Sequence, residues 1–139
     1  MIELDYAFLA DYAVVADGRL TVVGASFVTV AVPMPVDYRF AVAGRIRASL
    51  DVESFDLRFS VKAPGYEIST GGVSRPGDPD STTYADKRST LFVLNTVIPL
   101  VDPGLYEIFV GLNGETVRRL AFEAVDLPIV SAGKTSLGP

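Results

Sequence analysis

The chain has no histidine, no cysteine and no tryptophan among its 139 residues. Without histidine no side chain titrates near neutrality at its ordinary pKa, so a triad-type base would have to be a strongly displaced Lys, Asp or Glu. The lysines Lys62, Lys87 and Lys134 sit in no catalytic motif. Zinc, copper and haem sites built on His or Cys have no ligands here. No cofactor is expected. The missing cysteines also remove any disulfide framework, which fits a reducing compartment. Long apolar runs are absent too, since Asp, Arg or Gly interrupts every stretch well short of the roughly 20 residues needed to cross a bilayer. No membrane span is expected. Positive charge is in deficit, with 12 Lys and Arg against 17 Asp and Glu and a formal net charge of −5. That balance opposes a phosphate backbone, so nucleic acid is not an expected partner. The opening Met1-Ile2-Glu3-Leu4-Asp5 lacks the basic and apolar regions of a signal peptide. The expected location is the cytoplasm, or a particle assembled there.

What remains is a composition suited to one folded core. Apolar residues make up 49% and charged residues 21% of the chain, and the length is that of a single domain. Residues 1–130 are expected to form that domain and the small, polar 131–139 a flexible tail. The strongest signal is a two-residue alternation. From Phe40 to Leu50, the residues Phe40, Val42, Gly44, Ile46, Ala48 and Leu50 fall on one side, and Arg45, Arg47 and Ser49 on the other. From Phe55 to Ala63, Phe55, Leu57, Phe59, Val61 and Ala63 oppose Asp56, Arg58, Ser60 and Lys62. These read as two half-buried strands, and the four-residue link Asp51 to Ser54 makes a hairpin between them the economical pairing. Arg39, Arg45, Arg47 and Arg58 read as a wet strand face whose stems cover apolar surface.

Turn chemistry divides the rest. Asp17-Gly18 and Asn113-Gly114 are two-residue hairpin signals, because Gly accepts the positive φ that such turns require. Leu4, Tyr6, Phe8, Ala10, Tyr12 and Val14 share one parity in a first strand region that Asp11 interrupts. Pro33-Met34-Pro35 ends a strand over 27–32 and steers the chain to another sheet or around a corner. A regular hairpin about Asn113-Gly114 mixes the faces of the last two strands, so a bulge is expected near Val117 to Arg119. Residues 89–100 carry apolar side chains on both parities, as in a strand covered on both sides. Gly71 to Asp86 reads as a long polar loop.

The sum is an all-β fold, an antiparallel β-sandwich of about eight strands in a single domain. Its expected core is Phe8, Leu20, Val22, Phe40, Val42, Ile46, Leu57, Phe59, Val61, Phe92, Leu94, Tyr106, Ile108 and Phe122.

Chemistry on such a frame has few carriers. Asp78 and Asp80 in the 71–86 loop could offer oxygen ligands to calcium, and Tyr66 and Tyr84, flanking it, could offer rings to carbohydrate. Ordinary turn and packing roles account for these residues more simply. Glu107 and Glu123 come from neighbouring strands and Glu67 from another, and could suggest a paired-acid hydrolase, but solvated strand positions explain them far better.

The segments Leu9-Ala10-Asp11-Tyr12, Asp17 to Gly24, Arg45-Ile46-Arg47, Gly104-Leu105-Tyr106-Glu107 and Asn113-Gly114 resemble those of an uncharacterised bacterial family of small all-β domains of unknown function. The resemblance implies a fold and transfers no catalytic residue. The expected role is therefore a non-enzymatic β-sandwich acting in binding or assembly through protein contacts, with itself as a homo-oligomer or with a bacterial or phage partner. The alternatives are a carbohydrate or calcium module on the 71–86 loop, and a carboxylate-based hydrolase.

Overall fold

The structure, a computed structural model, describes residues 1–74 and 80–128, with the backbone alone for 71–74. The alternating segments form strands at almost every predicted place. In chain order they are β1 (Ile2–Ala10), β2 (Tyr12–Ala16), β3 (Arg19–Val23), β4 (Thr29–Val32), β5 (Val36–Ser49), β6 (Phe55–Ala63), β7 (Tyr66–Ser74), β8 (Ser81–Tyr84), β9 (Lys87–Leu100), β10 (Gly104–Leu112) and β11 (Glu115–Asp126). Two sheets face each other, one in the order β1-β5-β9-β8 and one in the order β4-β11-β10-β6-β7. The hairpin β2-β3 stands as a third, two-stranded sheet. Pairing is antiparallel except between β4 and β11, which run parallel. The strand number exceeds eight because Asp11 divides the first segment into two and because β7 and β8 extend into the stretch read as a loop.

Between the sheets, the inward residues of β5, β9, β10 and β11 form the main core. Phe40, Ile98, Leu100, Tyr106, Ile108, Val110 and Phe122 are fully buried there. The Tyr106 and Phe122 rings stack with centroids 5.3 Å apart. Phe122 reaches this position through the expected bulge. Leu112 pairs with Glu115 and Gly111 with Thr116, but Val110 pairs with Arg118, so Val117 is the extra residue that restores parity. Both Asx-Gly turns form, with positive φ at Asp17, Gly18, Asn113 and Gly114.

Four expectations are corrected. β5 and β6 do not pair. β5 lies between β1 and β9 while β6 lies between β10 and β7, so the Asp51–Ser54 link arches from one sheet to the other. Both edges of β5 are already occupied, one by β1 and the other by β9 along the whole strand. Second, Phe8, Leu20 and Val22 leave the main core. They form a separate cluster with Ala13, Ala41, Ala43 and Val93, where the β2-β3 hairpin folds over the outer face of the first sheet. The alanines at 41 and 43 make that close cover possible, and it explains why β9 is apolar on both parities. Third, the common parity of Leu4, Tyr6 and Phe8 is broken by a register shift between Leu4 and Tyr6, which turns Ala7 and Leu9 inward. Fourth, the segment 71–86 is not one loop. β7 runs to Ser74 and β8 occupies Ser81–Tyr84. The tail expected at 131–139 lies outside the described residues.

The wet-face reading of the arginines holds. Arg45 and Arg47 pair with Asp5, and Arg47 also with Glu3 at 2.9 Å. Arg45 lies over the Tyr6 ring, 5.2 Å from its centroid. Arg58 meets Asp56 at 2.8 Å, and Arg39 is exposed.

Candidate functional site

The two sheets are unequal, and the inequality opens one flank. β8 pairs with β9 only over Lys87 to Thr90, and the adjoining Leu91 N–H donates to the Asp80 carbonyl at 3.1 Å. In an antiparallel strand the N–H and C=O of one residue point to the same side, and sides alternate along the chain. The Leu91 bond therefore places the backbone groups of Val93, Asn95, Val97 and Pro99 on the side away from β5. The Pro99 carbonyl agrees, since it accepts the Tyr66 hydroxyl at 2.5 Å from that side. Among the described residues no strand pairs with Val93, Asn95 and Val97 there.

Beneath this free edge lies β7, the last strand of the larger sheet. Ile68 and Thr70 face toward the first sheet, because their partners Val61 and Phe59 do. Ile68 and Thr70 are both exposed, Ile68 to 44%. Between β7 and the β9 edge a hollow of about 160 Å³ opens, backed by Phe40, Val42, Ile98 and Ile108, which are buried, and by Phe59 and Val61, which are little more exposed. Ile68, Ser69, Thr70, Leu94 and Thr96 line it as well. Tyr66 closes one end by bonding Pro99 across the sheets. Burial, and secondarily the nearby Tyr106, pushes its phenol up to about 12.

The charge pattern separates this flank from the opposite one. No charged residue occurs from Leu91 to Val101, and β7 has only Glu67. Across the molecule, β1 carries Glu3 and Asp5, and the part of β11 that β4 leaves unpaired carries Glu115, Arg118 and Arg119. A groove of about 420 Å³ there is bordered by Ile2, Leu4, Leu112 and Val117 together with Glu3 and Glu115. Native sheets protect exposed edges with charge, Pro or bulges. The charged flank has such protection, and the β7/β9 flank has little beyond Pro99.

The residues predicted from sequence do not assemble. Tyr66 is turned into the sandwich and engaged with Pro99, whereas Tyr84 is 41% exposed and pairs with Lys87 at the far end of β9. At about 3.3 Å per residue, the strand from Lys87 to Pro99 separates the two by on the order of 40 Å. Asp78 lies outside the described residues, and the backbone of Asp80 is used by Leu91. Among the described residues no three acidic side chains come together as metal ligands. The carboxylates lie on the outer face of the larger sheet. Glu107 is paired with Arg119 at 2.5 Å, and it stands in a cross-strand row with Lys62 and Glu67. Glu123 is exposed opposite Leu105. A groove of about 200 Å³ elsewhere on that face is lined by Arg58, Ser60, Phe109, Gly111 and Thr116, and by none of these three glutamates. Sequence reasoning passed over Val93, Asn95 and Val97. Their signal was the uncharged run from Leu91 to Val101, which was read only for burial.

The family model described as Family of unknown function (DUF6941) matches residues 5–125. No curated protein matches the chain. Among solved structures, the chain is similar to part of a β-glucosidase from Listeria innocua in complex with glucose, at 12% identity and a TM-score of 0.44. The likeness covers 74% of this chain and 15% of that enzyme.

Proposed function

This chain belongs to the family of unknown function DUF6941, and we propose from its own residues that it is a non-enzymatic module binding a protein through the β7/β9 flank. One observation carries the reading: an uncharged strand edge, unpaired along Val93 to Val97 among the described residues, lies over a largely apolar hollow. Backbone groups on such an edge are ready for pairing, and apolar surface beside them rewards cover. The chemistry of the chain supports the same reading. It has no histidine or cysteine, and Glu67, Glu107 and Glu123 are spread over the outer face of one sheet. A setting in the cytoplasm, or in a particle assembled there, is part of this proposal.

Hydrogen exchange and sedimentation test it together. In the isolated protomer the amides of Val93, Asn95 and Val97 exchange quickly, and in the complex or oligomer they become protected. Val97→Lys places a charge on the open edge and abolishes association without altering the circular dichroism spectrum. A chain that stays monomeric at about 100 μM, well above a micromolar dissociation constant, and retains no partner whose binding Val97→Lys removes, would overturn the reading.

A further inference from the structure

Resting on that reading, we infer that the partner of the β7/β9 flank is an extended peptide segment, neutral or basic, which adds as a strand to β9 and sets one aromatic or branched aliphatic side chain into the cavity.

Among the described residues the smaller sheet has no strand at this place. β8 begins the row beyond β9 and covers it only as far as Thr90. A strand continuing that row alongside Val93 to Val97 would lie over Ile68 and Thr70, both exposed on β7. It would meet the N–H and C=O groups of three residues, Val93, Asn95 and Val97. The open stretch of five residues spans about 17 Å. That length fits a short linear segment, and its two ends are closed by the Asp80–Leu91 and Tyr66–Pro99 hydrogen bonds.

The cavity sets the anchor. Its volume of about 160 Å³ matches a single ring or branched side chain, and Ile68 and Leu94 at its mouth, with threonine methyls of Thr70 and Thr96, give that side chain apolar contact. An engineered apolar cavity of roughly 150 Å³ holds benzene. A free apolar molecule would fill that space and leave the β9 edge unpaired, whereas a strand satisfies both features at once. Because side chains alternate, the residues two before and two after the anchor face Ile68 and Thr70 and should be small or β-branched. Those between them lie beside Val97, 44% exposed on the outer side.

Charge favours a foreign segment over a second copy. The chain carries −5 and a copy would bring the same charge, while basic flanks on a peptide would be drawn in.

A displayed library of random heptapeptides, panned on the intact chain, tests the inference. The expected yield is a pattern with one Phe, Leu or Ile at its centre, alternating apolar positions and a surplus of Lys or Arg. Binding of the best synthetic peptide should slow exchange of the Val93, Asn95 and Val97 amides. Thr70→Trp, which puts a ring at the cavity mouth, and Val97→Pro, which removes an outward N–H, should each weaken it by about tenfold or more. Lys62→Ala on the outer face should leave it unchanged. Should Val97→Pro fail to fold, Thr70→Trp and the exchange pattern still decide. Peptides that bind both variants as well as the parent would overturn the inference. An empty library would also overturn it, and so would toluene occupying the cavity without any peptide pairing to β9. If in those cases a folded protein still binds in a Val97-dependent way, or the chain pairs with its own copy, the binding function stands and only the linear-segment identity falls.

Discussion

Gly44 shows how much one position on β5 constrains. It lies on the inward side of the alternating run, and a Cβ built there falls on the Tyr6 carbonyl oxygen and the Phe92 ring. A ring can shift, but a backbone carbonyl in a paired strand moves only with its sheet. Gly44→Ala should therefore destabilise the fold by about 1–3 kcal/mol, the range for overpacking a filled interior. Urea unfolding should show a lower midpoint at an unchanged slope. The sequence showed the glycine among apolar neighbours. It did not show the Tyr6 carbonyl, because that approach comes from β1 across a ladder whose register shifts at Asp5.

At the scale of the element, the β10-β11 hairpin depends on counting. Val117 is the extra residue between the turn and the core-facing half of β11. Deleting it leaves Tyr106 opposite Phe122 and should give a regular hairpin with the fold retained. An alanine inserted after Arg119 instead turns Phe122 and Ala124 to the outer face. Losing the buried Phe122 ring should then cost about 3–5 kcal/mol, the range for truncating a core phenylalanine. Near-ultraviolet circular dichroism and a thermal melt of the two variants separate these outcomes. The bulge was legible because Asn113-Gly114 fixes a register that mixes the faces, and only an added residue could repair it. The β5/β6 error had the opposite origin. A short link permits a hairpin, but it permits an arch between sheets equally well, and long-range ladders from β1 and β9 decided the matter.

For the whole molecule, buried phenols govern behaviour at high pH. Burial raises Tyr38, Tyr66 and Tyr106 above the ordinary tyrosine value of 10.0, and Tyr66 reaches about 12. Below about pH 10 both folded and unfolded chains hold these protons, so their stabilising effect is complete. Above it the unfolded chain ionises first, and stability is lost as pH rises toward about 12. Alkaline titration followed by circular dichroism should show unfolding in that window. Tyr66→Phe should make the loss shallower, and at neutral pH it should cost about 1 kcal/mol or less for the bond to Pro99.

The sequence by itself determined the class of fold, the two Asx-Gly hairpins, the strand end at Pro33-Met34-Pro35 and a bulge within Val117 to Arg119. All of these follow from local rules, namely a side-chain period of two and the φ values that particular residues accept. It also marked which residues of β5, β6 and β10 face inward. Only the tertiary structure decided which strands are neighbours, that the β2-β3 hairpin draws Phe8, Leu20 and Val22 into a separate layer, and that the candidate site is an edge. The reason is physical: alternation tells a strand which side is dry, but it says nothing about what lies beside it. Whether the N–H and C=O groups of Val93, Asn95 and Val97 are paired or open depends on β8 ending its ladder at Thr90.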